Sequence, residues 1–113
     1  MVRVSVTYPR SSGSTFDWDY YLGPHLALAH RLLDPMGLIR IEVDRGIGAF
    51  PPGTASHVHA VGHLFFASIE EMESAMAAHA AEFVTDQGKY FNGESIVQVN
   101  EVVDAKGSVI IPS

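Results

Sequence analysis

Six histidines and no cysteine are the feature of this 113-residue chain that most suggests chemistry. Imidazole titrates near neutral pH and serves as a general acid or base, whereas the lack of cysteine excludes disulfides, thiolate metal sites and a cysteine nucleophile. His25 follows a helix interruption at Gly23-Pro24, and Tyr21 lies one turn before it. His25 is therefore a candidate catalytic base with Tyr21 as its hydrogen-bonded orienter, and capping or stapling of the broken helix by His25 is the equal alternative.

The other histidines have simpler interpretations. His57, His59 and His63 share one face of a predicted strand, a spacing that could hold a metal, but their strand supplies no carboxylate. A hydrogen-bonded network is the simpler interpretation, and no metal is expected. His79 falls on the apolar stripe of a helix, where a polar group must find a partner or line a cavity. No cofactor is expected; haem or another cofactor on a histidine is a further option that visible absorbance would reveal.

Aromatic side chains could line a pocket between helices and sheet, although in a chain this short most would be buried whatever the function. The predicted substrate-binding residues are Trp18, Tyr20, Phe66, His79, Phe83 and Phe91, and Tyr90 is a further aromatic of the same kind. Nucleophile elbows, phosphate loops and dinucleotide fingerprints are absent, which argues against hydrolase, kinase and dehydrogenase functions.

The charge balance argues against nucleic acid as a partner. The net charge is −6 and the lysines are Lys89 and Lys106, so no basic stripe can gain from counterion release. The chain opens with a strand-like segment rather than an apolar signal core, and no apolar run could span a bilayer. We expect a cytoplasmic protein with no membrane partner.

The order of predicted elements is β-α-β-β-α-β. Strict alternation predicts strands, Asp17 and Ser68 are good N-cap residues, and Ser68 with Glu71 matches a capping box. Pro24 is predicted to start a new helix, because proline cannot donate to the preceding turn. The predicted strands are 2–8, 38–45, 57–66 and 95–103, the helices are 17–22, 24–33 and 69–84, and the irregular segments are an exposed, mobile connection at 47–56 and the stretch 85–93.

This order predicts an α+β, ferredoxin-like antiparallel sheet with the helices on one face. The core face would carry Val4, Val6, Ile39, Ile41, Val43, Val58, Ala60, Leu64, Phe66, Val97 and Val99. The opposite face mixes apolar and polar groups, namely Ser5, Thr7, Arg40, Glu42, His57, His59, Val61, His63, Phe65, Ile96, Gln98 and Asn100. A second sheet packed there in a symmetric dimer would explain this mixture; an ordinary monomer with a polar outer face is the alternative.

Several segments together resemble the EthD (ethyl tert-butyl ether degradation) family over residues 2–103. They are Phe16-Asp17, Asp19-Tyr20-Tyr21, His25, Leu32-Leu33, the strand 63–68, the helix with Met72 and Met76, and the closing strand 96–103. The family commonly has a proline two residues after the histidine, whereas this chain has Ala27. The resemblance implies one domain, 1–113, that forms a dimeric α+β barrel, a superfamily that includes muconolactone isomerase, small polyketide cyclases and cofactor-free monooxygenases.

Two functions follow as expectations. The first is a cofactor-free enzyme that acts by His-mediated proton transfer on a small hydrophobic, ketide-like or aromatic metabolite. The alternative is a non-catalytic binding or accessory protein for a hydrophobic metabolite in an oxidative or biosynthetic pathway. The homodimer is expected to form through the sheet face bearing Val61, His63 and Phe65, with the tail 103–113, and Val109–Ile111 in particular, crossing to the partner.

Overall fold

A computed structural model describes residues 1–104, so the predicted crossing of Val109–Ile111 to a partner lies outside the described residues. The strands are β1 (Val2–Pro9), β2 (Leu38–Arg45), β3 (Val58–Phe66) and β4 (Ile96–Glu101). They form one sheet in the order β2-β3-β1-β4, with every neighbouring pair antiparallel. The predicted ferredoxin-like order is confirmed, and both helices pack on the face that carries Val4 and Phe66.

The first helix, α1, is continuous. The predicted break at Gly23-Pro24, with a new helix starting at Pro24, is therefore wrong. It begins as Trp18–Tyr20, widens into a π turn at Tyr21–His25 and continues as Leu26–Leu33. Pro24 lacks an amide hydrogen and would crowd the carbonyl four residues back in a regular α-turn. The wider turn removes that conflict, and the amide of Leu26 donates to the carbonyl oxygen of Tyr21, five residues earlier.

The π turn also explains which residues of α1 are buried. Tyr21, His25, Ala29 and Leu33 are buried and follow one another at intervals of four. At 3.6 residues per turn each interval overshoots a full turn by about 40°, so a uniform α-helix would rotate the later residues away from the sheet. One wider turn offsets part of that drift. His25 and Tyr21 therefore share the buried face.

The second helix, α2, spans Ile69–Gln87. The Oγ atom of Ser68 accepts from the amide of Glu71 at 3.2 Å, which confirms the predicted N-cap. The helix runs three residues past the predicted end, so the first part of the segment predicted to be irregular is helical. This extension matters for the site because it places Asp86 in the last turn, where the residue is buried.

Three departures from the predicted burial have local causes. Ile39 lies at a register shift between β2 and β3 and is exposed rather than buried in the core. Val97 and Val99 lie on the predicted core face, opposite Val6 and Val4, but they are exposed because β4 is an edge strand. Phe65, on the opposite face, is 3% exposed because the guanidinium of Arg40 lies 4.0 Å from the centre of its ring.

The connection between β2 and β3 is exposed at its apolar side chains, Ile47 and Phe50. A short bridge orders its tip, since the amide of Ala49 donates to the carbonyl of Thr54 at 3.0 Å. Its predicted mobility stays a prediction. Neither helix in residues 1–104 is both long and apolar enough to cross a bilayer.

Candidate active site

A cavity of about 310 Å³ lies between the helices and the sheet. Aliphatic side chains from β1, β3, α1 and α2 make up most of its wall, together with Phe83. The polar lining residues are Tyr8, Tyr21, His25, Gln87, Tyr90 and Ser95. Cavities of this size and lining bind small molecules that are mainly apolar, with a few polar groups fixing orientation.

His25 and Asp86 form a buried pair at one end of this cavity. The Nδ1 atom of His25 lies 2.8 Å from Oδ2 of Asp86, and the side chains are 10% and 9% exposed. The other carboxylate oxygen, Oδ1, accepts from the hydroxyl of Tyr20 at 2.8 Å, and Nζ of Lys89 lies 3.7 Å from it. Asp86 is thus held by several donors and fixes the orientation of the imidazole ring.

The electrostatic surroundings set the protonation of this pair. Burial alone would raise the pKa of Asp86, but the hydrogen bonds from His25 and Tyr20 outweigh it and hold that pKa below its ordinary value. Asp86 is therefore an ionised acceptor, so Nδ1 of His25 carries the hydrogen. Burial lowers the pKa of His25, with Asp86 opposing that shift. At neutral pH His25 is uncharged and Nε2 is its basic atom.

Three tyrosine hydroxyls continue the network from Nε2 towards the sheet. The hydroxyl of Tyr90 lies 3.3 Å from Nε2 of His25 and 2.6 Å from the hydroxyl of Tyr8, and Tyr8 in turn interacts with Tyr21. Because Nε2 is an acceptor, Tyr90 donates to it, Tyr8 donates to Tyr90 and Tyr21 donates to Tyr8. Burial is the main cause that raises the pKa of all three phenols, so they are neutral donors.

Tyr21 positions His25 by packing and not by the hydrogen bond that the sequence predicted. The two rings stack with centroids 5.2 Å apart and planes 16° apart. The partner at Nδ1 is Asp86, because the π turn places the two rings parallel and turns that nitrogen towards the end of α2. The hydroxyl of Tyr21 reaches instead to the sheet, where it lies over Gly62.

The predicted substrate-binding residues fall in different places. Phe83 lines the cavity and meets the His25 ring edge-on, whereas Tyr20 contacts Asp86 from outside the lining. Phe66 is fully buried in the core with Val4, and Phe91 packs on Tyr8 in an aromatic cluster. Trp18 stacks against Arg45. His79 pairs with Glu82 at 2.7 Å and does not line the cavity.

His59 and His63 have separate partners, and His57 lies just before β3. Nδ1 of His63 lies 3.0 Å from Oγ of Ser5 and Nε2 lies 2.9 Å from Asp44. His59 stacks on Phe16, and His57 is exposed. Within residues 1–104 no group of three histidine or carboxylate side chains is arranged to hold a metal.

Asp86 and Tyr8 are residues of the candidate site that the sequence does not predict, and Tyr90 is predicted only as a pocket-lining aromatic. The signal for Asp86 was the stripe Met72, Met76, His79 and Phe83: its next step is 86 or 87, on the same helix face. The predicted helix end at residue 84 leaves Asp86 outside the helix. Tyr8 belongs to the core-facing alternation of β1, where a tyrosine is a polar exception.

Comparisons with known proteins give structural likenesses. No protein-family model and no curated protein match the chain. An EthD-like protein from Ralstonia eutropha has 26% identity and a TM-score of 0.86, with 94% of this chain and 95% of the other covered. An EthD family protein from Bacillus halodurans has 19% identity and a TM-score of 0.67, with coverage of 91% and 99%.

A third likeness is to a dimeric ferredoxin-like protein from an uncultured marine organism. It has 14% identity and a TM-score of 0.53, with 94% of this chain and 98% of that protein covered. These structures confirm the ferredoxin-like α+β fold, and the likeness to the EthD-like protein from Ralstonia eutropha supports the resemblance inferred from the sequence.

Proposed function

We propose that this chain, which resembles the EthD-like proteins in fold and sequence, is a cofactor-free enzyme that moves a proton on a small hydrophobic metabolite, with His25 as general base. The observation that carries the proposal is the pairing of Nδ1 of His25 with Asp86 at 2.8 Å while Nε2 lies beside an apolar cavity. A carboxylate that fixes the tautomer and then stabilises the imidazolium is what a histidine base requires.

The cavity supports an uncharged, aromatic or ketide-like molecule as the substrate. Its wall is mostly aliphatic, and removing a charged ligand from water would be costly there. Three phenol donors and one imidazole acceptor lie among these apolar groups, which suits a ligand with one or two polar atoms. Phe83, Tyr21 and Tyr90 offer ring faces and edges to an aromatic or extended conjugated body.

The experiment begins with native mass spectrometry to identify the small molecule that co-purifies. That molecule is then incubated with the protein in D₂O, and deuterium incorporation is followed by mass. We expect incorporation with the wild-type protein and none above buffer with His25→Ala. His30→Ala is the matched control, because His30 lies on the same helix, bonds Asp34 at 3.0 Å and is exposed.

A second candidate function is binding without chemistry, as an accessory protein for the same class of metabolite. The pairing of Tyr90 with Nε2 favours it, because that hydrogen bond occupies the basic atom when no ligand is bound. Retention of the co-purified molecule with no deuterium incorporation would support this function and overturn the enzymatic one. A destabilised His25→Ala variant with full affinity per folded molecule would assign His25 a structural role.

We also propose that two copies pair through the sheet face opposite the helices. Ile96 on this face is 58% exposed. A second sheet would cover it. The likeness to a dimeric ferredoxin-like protein supports the same arrangement.

Light scattering tests the dimer. We expect a dimer mass for the wild-type protein at micromolar concentration and a shift towards the monomer for Ile96→Glu. Ile69→Glu is the control, since Ile69 is also exposed but begins α2, where an acidic residue suits the helix N-terminus. A monomer mass for the wild-type protein that does not change on concentration would refute the pairing.

A further inference from the structure

The hydroxyl of Tyr90 occupies a position that the proposed base does not explain. It lies 3.3 Å from Nε2 of His25, a long hydrogen bond, and 2.6 Å from the hydroxyl of Tyr8, a short one. The hydroxyl of Tyr90 accepts the short hydrogen bond from Tyr8 and donates only the long one to His25. Its hydrogen is therefore available for a better acceptor. Any such acceptor must come from the cavity that Tyr90 and His25 both line.

We propose that Tyr90, supported by Tyr8, is the hydrogen-bond donor to a substrate carbonyl oxygen, and that the substrate is an uncharged carbonyl compound with an acidic C–H next to that carbonyl. The inference rests on the proposed function for its base, His25. It adds the donor that stabilises negative charge on the substrate oxygen. A substrate that develops charge there must have a carbonyl group, and this decides the class of substrate.

The geometry allows acid and base to act side by side. When a carbonyl oxygen enters, the O–H of Tyr90 turns from Nε2 to that oxygen and leaves Nε2 free. The neighbouring C–H bond then breaks and its proton passes to Nε2. The electron pair of the C–H bond forms the new C=C bond, and the π pair of the C=O bond moves onto oxygen. The hydrogen on Nδ1 of the imidazolium stays there and remains hydrogen-bonded to Asp86. Return of the proton to the same carbon restores the substrate with its hydrogen exchanged. Where the substrate also has a C=C bond conjugated with the enolate, return of the proton to the far carbon of that bond completes an isomerisation with no oxidant or reductant.

The chain of phenols strengthens this donor. Tyr21 donates to Tyr8 and Tyr8 to Tyr90, and hydrogen bonds in such a chain polarise one another. Burial keeps every member neutral, so each retains its hydrogen. Preorganised neutral donors aimed at developing negative charge are the usual means of stabilising an enolate-like oxygen.

Binding of 2-naphthol and of the more acidic 6-cyano-2-naphthol tests the donor, because the oxygen of a naphthol imitates that of an enolate. We expect the acidic probe to bind the wild-type protein about tenfold more tightly, the factor that about 1.4 kcal/mol of hydrogen-bond energy gives. In Tyr90→Phe and Tyr8→Phe this preference should largely disappear. Fluorescence of the bound probes reports the affinities.

Naphthalene, which has no oxygen, is the matched control probe. Its affinity should be the same in the wild-type protein and in either variant, which shows that the cavity is intact. Equal affinities of the wild-type protein for the two naphthols overturn the proposal even if neither variant folds. Because naphthol binding needs no turnover, an acidity preference without deuterium exchange would refute the base and leave the oxygen site standing.

Discussion

Gly62 is the position where one added methyl group tests the phenol chain most directly. It lies on β3, between β1 and β2, and a Cβ atom there would overlap the hydroxyl oxygen of Tyr21 and touch Cζ at 3.7 Å. Both sides of this contact are held: Tyr21 is buried, and β3 is hydrogen-bonded on both edges. We therefore predict that Gly62→Ala forces the hydroxyl of Tyr21 away from the sheet and weakens its donation to Tyr8.

The expected cost follows from two opposing effects. Overpacking a rigid site by one methyl group costs about 1–3 kcal/mol. Replacing glycine by alanine also reduces the conformational freedom of the unfolded chain, which stabilises by about 0.4–1 kcal/mol where the backbone allows it. The net loss for Gly62→Ala should be about 1–2 kcal/mol, with overpacking as the larger effect.

Gly88→Ala is the control for the entropic part. Gly88 ends α2 with φ −61°, and the nearest atom to an added Cβ is the carbonyl oxygen of Thr85 at 3.9 Å. This variant should be as stable as the wild-type protein or slightly more so. Urea unfolding at fixed pH, followed by the fluorescence of Trp18, measures both. If Gly62→Ala unfolds at the wild-type midpoint, the close approach of Tyr21 to the sheet is wrong.

Three further predictions concern the His25–Asp86 pair. Asp86→Asn should lower the free energy of unfolding in urea by about 1–3 kcal/mol. It should also lower the pKa of His25 further, since it removes the carboxylate that opposes the shift, and an NMR titration that finds the pKa of His25 unchanged would contradict this. Tyr20→Phe should raise the pKa of Asp86 towards its ordinary value, because one donor is lost, and should destabilise less than Asp86→Asn; carboxyl ¹³C shifts measure it. The depressed pKa of His25 means that the unfolded chain binds a proton which the folded chain does not, so stability should fall as pH decreases below about 6.5, and a slope that His25→Gln leaves unchanged would exclude His25 as its source.

Much of the fold could be predicted because its signals are local. The alternation in β2 gave its bounds, and Asp17 and Ser68 cap helices as expected, with side chains bonded to Tyr20 and Glu71. Each of these features depends on residues within four positions of one another. Their physical causes, pleat periodicity and unsatisfied helix amides, act at the same range.

The candidate site could be predicted only in part because its contacts are distant in sequence. His25 meets Asp86 across 61 positions and Tyr90 across 65, while Tyr8 meets Tyr90 across 82. No spacing rule encodes such pairs. The sequence indicates His25 because a histidine follows a helix irregularity; its partners depend on how α1 and α2 cross the sheet, which periodicity leaves open.

The π turn at Tyr21–His25 changes how an alignment gap in this region should be interpreted. Such a turn accommodates one residue more than an α-turn, so a homologue lacking a residue between Tyr21 and His25 could keep an ordinary helix through the same stretch. Because the wider turn absorbs that residue, the helix segments on its two sides would keep their relative rotation. The same deletion elsewhere in α1, where the helix is regular, would rotate the two sides relative to each other by about 100°, the angle of one helical residue. A one-residue gap between Tyr21 and His25 is therefore compatible with the same buried faces, whereas a gap between Leu26 and Leu33 would turn the two parts of the helix to different faces.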